Sequence, residues 1–276
     1  MNDQPTIMAV LAHPDDENGM GGTLARYAAQ GVRVFLVTAS RGEAGTIFNP
    51  ELATPETIAA VREAELRCSC AALGIEPPIL LDCPDMGVRE CVEVALEKVV
   101  RLVRQLRPQI MITFGPDGIY GHPDHIAAHQ MAAQAWRLAG NSNAFPAHFE
   151  QGLAPHTPAR LFYHVLPASF VQEWRRHADL TVELAGERLQ ITGVPDEQIS
   201  LRLDVTPYIE RKAAAWACHR TQFNPNGPRN LMSQEELERW MRTEYFILAG
   251  GVPLPSAPTP ADLFAGLESL EHAHDK

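Results

Sequence analysis

Short apolar runs alternate with longer amphipathic ones through the first half of the chain. Ile7 to Leu11 and Val34 to Ala39 are continuous apolar runs of strand length, while Thr23 to Gln30 between them has helical spacing and stops at Gly31. These make one βαβ unit. Thr57 to Leu73 then reads as a helix closed by Gly74, Ile79 to Asp82 as a strand, Val92 to Leu106 as a helix and Ile110 to Phe114 as a strand, with Pro108 separating the last two. Strands that are apolar on both faces require helices on both sides. That predicts a Rossmann-like, doubly wound α/β fold with a mostly parallel sheet.

Beyond about Ala139 the pattern loosens. Asn141 to Pro158 holds three prolines and reads as a loop or lid, Leu161 to Leu166 and Ile199 to Val205 as added strands, and Pro207 to His219 as a helix. The predicted organisation is one α/β domain over 1-249, with a core at 1-140 and a decorating half at 141-249 that forms the pocket rim. A proline-rich tail follows over 250-276. In the tail Leu263, Phe264, Leu267 and Leu270 share one helical stripe, which suggests a short amphipathic helix docking on a neighbouring subunit of a homo-oligomer.

Composition narrows the class. Of 276 residues, 45% are hydrophobic and 21% charged, enough apolar material for a sizeable core. The net charge of −11 repels phosphate backbones and anionic bilayers, so nucleic acid is not an expected partner. No apolar run approaches the roughly 20 residues that span a bilayer, and Met1 to Pro5 has no basic start; membrane insertion is not expected and a cytoplasmic location is. Five cysteines, Cys68, Cys70, Cys83, Cys91 and Cys218, are an odd number in such a chain. They are expected to be reduced, with Cys68 and Cys70 serving as core packing.

The candidate chemistry follows two strands. The first runs into His13-Pro14-Asp15-Asp16-Glu17, and Ile110 to Phe114 leads through Gly115-Pro116-Asp117-Gly118 to Tyr120-Gly121-His122-Pro123-Asp124-His125. Doubly wound sheets bind ligands beyond the carboxyl ends of strands, so the two clusters can face each other across one crevice. His13 and Asp16 are three apart, as are His122 and His125, which in a helical turn puts each pair on one face. Imidazole and carboxylate together suit zinc or another borderline divalent ion. Residue types alone nominate His13, Asp16, His122 and His125 as four ligands.

These residues resemble the LmbE-like, or PIG-L, family of zinc-dependent N-acetylglucosaminide deacetylases. The resemblance rests on His13-Pro14-Asp15-Asp16-Glu17, Arg41-Gly42-Glu43-Ala44-Gly45, Arg62 with Glu65-Leu66, Tyr120 to His125, and Lys212 with His219-Arg220-Thr221-Gln222. Thr221 stands where serine is usual and Ile119 where glycine is frequent. The resemblance implies a metal held by His13, Asp16 and His125, zinc foremost, with Fe2+ or Co2+ accepted by the same donors. It leaves Asp15 as general base and His122, in charged form and supported by Asp124, to stabilise the oxyanion, with Tyr120 a further donor. Arg62 then reaches a substrate group or steadies the site carboxylates, and His219 closes the pocket. Glu17 and Glu43 fall to supporting roles. The implied substrate is a small N-acetylglucosaminide such as GlcNAc-malate or GlcNAc-inositol; Asp15, His122 or both protonate the leaving amine.

Three rivals are weaker, one of them a non-catalytic metal-binding or scaffold protein, which would leave Asp15, His122 and Asp124 idle and close the shell with four ligands. Gly19, Gly21 and Gly22 follow the first strand as a phosphate loop does in nucleotide-binding modules, but the spacing is not G-x-G-x-x-G and Asp15, Asp16 and Glu17 put negative charge where pyrophosphate would lie. A phosphoesterase, or hydrolase of another ester or amide, keeps the metal but changes the bond. Phosphoester sites usually hold two bridged ions and basic residues, which these motifs do not offer.

Overall fold

The computed structural model describes residues 4–176, 179–184, 186–224, 233–256 and 261–267. A seven-stranded sheet runs through it in the order β3-β2-β1-β4-β5-β9-β8. The strands are β1 (Thr6–Leu11), β2 (Arg33–Thr38), β3 (Ile79–Leu80), β4 (Ile110–Phe114), β5 (Arg160–Val165), β8 (Leu201–Asp204) and β9 (Thr243–Gly251); β6 (Thr181–Leu184) and β7 (Glu187–Gln190) form a separate hairpin. The first five are parallel, and β9 joins β5 and β8 antiparallel. The order reverses between β1 and β4, which pair from Ile7↔Ile110 to Ala9↔Ile112. A crevice therefore opens where those two neighbours end.

Helices cover both faces, as the two-sided apolar strands demanded. Ile7, Ala9 and Leu11 pack with Leu24 of α1 (Gly21–Ala29), Leu66 of α2 (Ile58–Leu73) and Ala215 of α8 (Ile209–Cys218). Met8 and Val10 point the other way, against Val99 of α3 (Val88–Leu106) and Met131 of α5 (Pro123–Leu138). The period of two along β1 thus feeds two cores at once. The remaining helices are short: α4 (Gly118–Gly121), α6 (Ala147–Glu150), α7 (Ala168–Trp174) and α9 (Gln234–Met241). Gly74 ends α2 at φ 77, where a side chain would be strained.

Several expectations change. α3 begins at Val88, one turn before the expected Val92, because its first turn is exposed enough to hide its period. β9 escaped notice altogether; it lies between β5 and β8 and completes the sheet from the second half of the chain. The cysteines are not all reduced: Cys68 pairs with Cys218 at 2.06 Å and Cys83 with Cys91, leaving Cys70 buried and free. Cys68 faces outward on α2, so it bridges to α8 rather than filling the core. Leu263 and Leu267 pack into the chain's own core instead of a neighbour's, and residues 263–266 are turn rather than helix. Buried Arg160 draws them in, donating to the carbonyls of Leu263 at 2.7 Å and Ala265 at 2.6 Å. Leu270 lies outside the described residues. No described helix is long and apolar enough to cross a membrane.

Candidate metal and catalytic centre

His13 leaves the end of β1, and His125 sits in the first turn of α5, whose Pro123 takes the position where a missing N–H costs nothing. Because β1 and β4 are neighbours, His13 Nδ1 and His125 Nε2 come within 3.3 Å. Asp16 joins them, with Oδ1 3.2 Å from His125 Nε2 and Oδ2 3.6 Å from His13 Nδ1. Phe114 stacks on His125 at 4.2 Å between centroids and holds its plane. Backbone amides of Ala12 and His13 donate to Asp16 Oδ2 at 3.1 and 2.7 Å, fixing the carboxylate.

Outer partners decide which nitrogens face inward. His13 Nε2 lies 3.1 Å from Asp85 Oδ1 and 3.3 Å from Asp124 Oδ2, so it carries the proton and turns Nδ1 toward the centre. His125 Nδ1 faces the Gly118 carbonyl at 3.2 Å, which leaves Nε2 as its inward lone pair. Two imidazole lone pairs and a carboxylate aimed at one point need a cation between them. Burial opposes charge on His13, yet hydrogen bonds to Asp124 and Asp85 and the charge of Asp16 raise it to about 10; a metal ion would compete with that proton for the same negative field. Burial likewise opposes the charge on Asp16, and His125 and His13 overcome it, holding the carboxyl well below its usual range. The donor set fits a divalent ion. His13, Asp16 and His125 form one group able to hold a metal, and His13, His122 and Asp124 a second.

Asp15 is directed away from Asp16 by the backbone itself. Its backbone takes φ 104, ψ −19, a left-handed conformation costly for a residue with a side chain. The resulting kink carries its carboxylate to Arg62, whose terminal nitrogen lies 3.3 Å away. Loss of surrounding water raises Asp15 above the ordinary carboxylate range, with Arg62 opposing and Asp16 reinforcing the shift.

Two expected roles are revised. The Asp124 carboxylate favours charge on His122 through space, but its hydrogen bonds go elsewhere: it accepts from the amides of Met86 at 2.6 Å and Val88 at 3.2 Å and contacts His13. His122 instead caps α5, its Nδ1 accepting from the Asp124 amide at 3.1 Å. Burial, then the neighbouring His125 and His13, push His122 down to about 4, so it is neutral and offers Nε2–H as a donor. Arg62 is 3% exposed and turns its two terminal nitrogens to the Gly42 carbonyl at 2.8 Å, the Pro14 carbonyl at 2.5 Å and Asp15. It steadies a site carboxylate. His219 is engaged by Glu17 at 2.6 Å. Tyr120 presents its ring edge to His122, with centroids 5.7 Å apart, and burial raises its hydroxyl, keeping it a donor. Ile119, where a glycine was the common residue, adopts φ 72, a conformation that glycine takes without strain.

Asp85 was missed. It follows β3 in Pro84-Asp85-Met86-Gly87, and the strand-end rule that found His13 would have found it. The Glu43 carboxylate accepts from the Asp85 amide at 2.9 Å and the Ala44 amide donates to Asp85 at 2.8 Å, so the Arg41 to Gly45 turn clasps it in place.

The family described as "PIG-L: GlcNAc-PI de-N-acetylase" matches residues 8–136. Along nearly the whole chain, a 1D-myo-inositol 2-acetamido-2-deoxy-alpha-D-glucopyranoside deacetylase of Streptomyces avermitilis is 34% identical, covering 97% of this chain and 99% of its own. The chain belongs to the PIG-L, LmbE-like family of N-deacetylases. Among solved structures, the N,N'-diacetylchitobiose deacetylase of Pyrococcus horikoshii superposes with a TM-score of 0.65 at 20% identity, covering 88% of this chain and 83% of that one. A 4-carboxy-2-hydroxymuconate hydratase of Pseudomonas putida shares the fold with a TM-score of 0.62 at 16% identity, covering 92% of this chain and 100% of that one. The family fold thus hosts more than one reaction, and the bond cleaved is decided by the site.

Proposed function

We propose that the protein hydrolyses the acetamide of a small N-acetylglucosaminide to acetate and a free amine, and that its natural substrate is a GlcNAc-inositol glycoside. The observation that carries this is the convergence of His13 Nδ1, Asp16 and His125 Nε2 beside an Asp15 that Arg62 holds out of the ligand set. Those three residues would hold the metal, zinc by donor chemistry, with iron(II) or cobalt(II) as substitutes. When bound, the ion supplies Lewis acidity that makes water a better nucleophile and the acetyl carbonyl a better electrophile.

The chain's own residues supply the rest. Asp15 accepts a proton from the attacking water, and its raised proton affinity favours holding that proton. His122 Nε2–H and the Tyr120 hydroxyl donate to the acetyl oxygen as it gains charge. The proton held on Asp15 then passes to the departing nitrogen, so C–N cleavage releases a neutral amine. His13 stays oriented throughout by Asp85 and Asp124.

The relative's name supports the inositol aglycone; GlcNAc-malate and chitobiose are the competing substrates. We place the reaction in the cytoplasm, on a soluble substrate. Reducing pools keep thiols open there, so under this reading Cys68–Cys218 and Cys83–Cys91 close on oxidation after the cells are broken, and cystine already formed in freshly quenched cells would oppose that address.

Acetate release from GlcNAc-inositol, GlcNAc-malate and chitobiose by metal-loaded enzyme tests the proposal. The expected outcome is preference for the inositol glycoside, loss of activity on chelation, and retention of metal but loss of turnover in Asp15→Asn. Turnover of Asp15→Asn at the parent rate, or no acetate from any of the three, overturns it.

A further inference from the structure

Glu17 has no exposed surface, and its carboxylate is fully committed. Oε2 accepts from the Asp15 amide at 3.0 Å, while Oε1 accepts from the Ser69 hydroxyl at 2.5 Å and contacts His219 Nε2 at 2.6 Å. The three partners come from separate parts of the chain: Ser69 from the inward face of α2, His219 from the residue after α8, and Asp15 from the kink after β1.

The position of this network matters because of what it grips. Asp15 is held at φ 104, which survives only where its surroundings over-determine it. Its carboxylate is held by Arg62 and its amide by Glu17, so the kink is fastened at both ends. Without the second fastening the backbone can relax toward negative φ, which would swing the carboxylate away from Arg62. A polar group with no route to solvent is also an expensive way to fill core space, and an apolar side chain of that length would fill it equally well.

We infer that Glu17, backed by His219 and Ser69, is a positioning residue that sets the general base Asp15 in its working conformation. This rests on the proposed role of Asp15. It also moves His219 from substrate contact to support: the imidazole anchors Glu17 from the second half of the chain.

The test compares Glu17→Met, which keeps the length and removes both acceptors, with Glu17→Gln, which keeps one. Glu17→Met is expected to lower kcat roughly 10- to 100-fold, the range for outer-shell partners of a site, with KM within about two-fold and metal stoichiometry unchanged. Glu17→Gln should recover part of that loss. In the Asp15→Asn background, measured by single turnover, Glu17→Met should add no further loss, since the residue it positions is already disabled. A crystal structure of Glu17→Met should show Asp15 displaced from positive φ. Parent-level kcat in Glu17→Met overturns the inference, and so does an equal loss in the Asp15→Asn background; should Glu17→Met not fold, parent-level kcat in Glu17→Gln does the same. Asp15→Asn working like the parent would instead bring down the underlying proposal, so the two failures are told apart.

Discussion

Asp85 Oδ1 sits 3.1 Å from His13 Nε2, although the two residues reach the crevice on different strands. Together with Asp124 this contact orients the imidazole and selects the nitrogen that faces the centre. Asp85→Asn should weaken metal binding about 10-fold or more, and Asp124→Asn further, because Asp124 also ties down the Met86 and Val88 amides. Competition with a metallochromic chelator measures both. Parent affinity in the two variants would show that His13 needs no outer carboxylate.

Gly42 lies at φ 70, and a Cβ there would stand 2.2 Å from an Arg62 terminal nitrogen. Gly42→Ala must therefore displace the guanidinium that holds Asp15. We expect at least a ten-fold fall in kcat with metal content intact, and little change in thermal midpoint beyond the backbone cost of about 1 kcal/mol. A variant as active as the parent would show that Arg62 has slack.

Cys68 and Cys218 close a span of 150 residues and join α2, which carries Arg62 and Glu65, to the helix end that presents His219. Cys83 and Cys91 bracket the segment bearing Asp85. Thiol titration of unfolded, unreduced protein should find one reactive group, Cys70, and five after reduction. Breaking the longer link with Cys68→Ser should cost about 3–5 kcal/mol by the entropy of the opened loop. Five thiols without reductant would refute both cystines.

Burial pushes His164 down to about 4 against a reference of 6.5; Glu244 and Lys212 face it with opposing effects, and Asp16 adds a smaller upward pull. The folded state therefore binds the proton less readily than the unfolded chain. Stability from the neutral ring is complete above about pH 6.5 and should fall at about 1.4 kcal/mol per pH unit as the pH drops toward 4. Denaturant unfolding at pH 7 and pH 5 should show a smaller drop in His164→Gln than in the parent. Equal drops would exclude His164 as the source.

How much of this was written locally differs from element to element. β1, β2 and β4 were legible as continuous apolar runs of strand length, and α1 and α2 by the glycines that stop them, Gly31 and Gly74. β9 was not, since its exposed and buried positions mix along an antiparallel strand whose partners are about 80 and 40 residues earlier in the chain. His13, Asp16, His122 and His125 could be nominated from spacing and from the rule about strand ends. Their separate tasks could not, because those depend on which nitrogen or oxygen each outer partner occupies.

The chain alone, then, determined the layered α/β class and the two clusters that meet at one crevice, since period, punctuation and residue type act over a few neighbours. Only the folded arrangement decided that the Asp124 carboxylate bonds His13 rather than His122, that Asp15 leaves Asp16 through a left-handed kink, and that four cysteines pair. Those outcomes turn on distances between atoms remote in sequence, which no local pattern encodes.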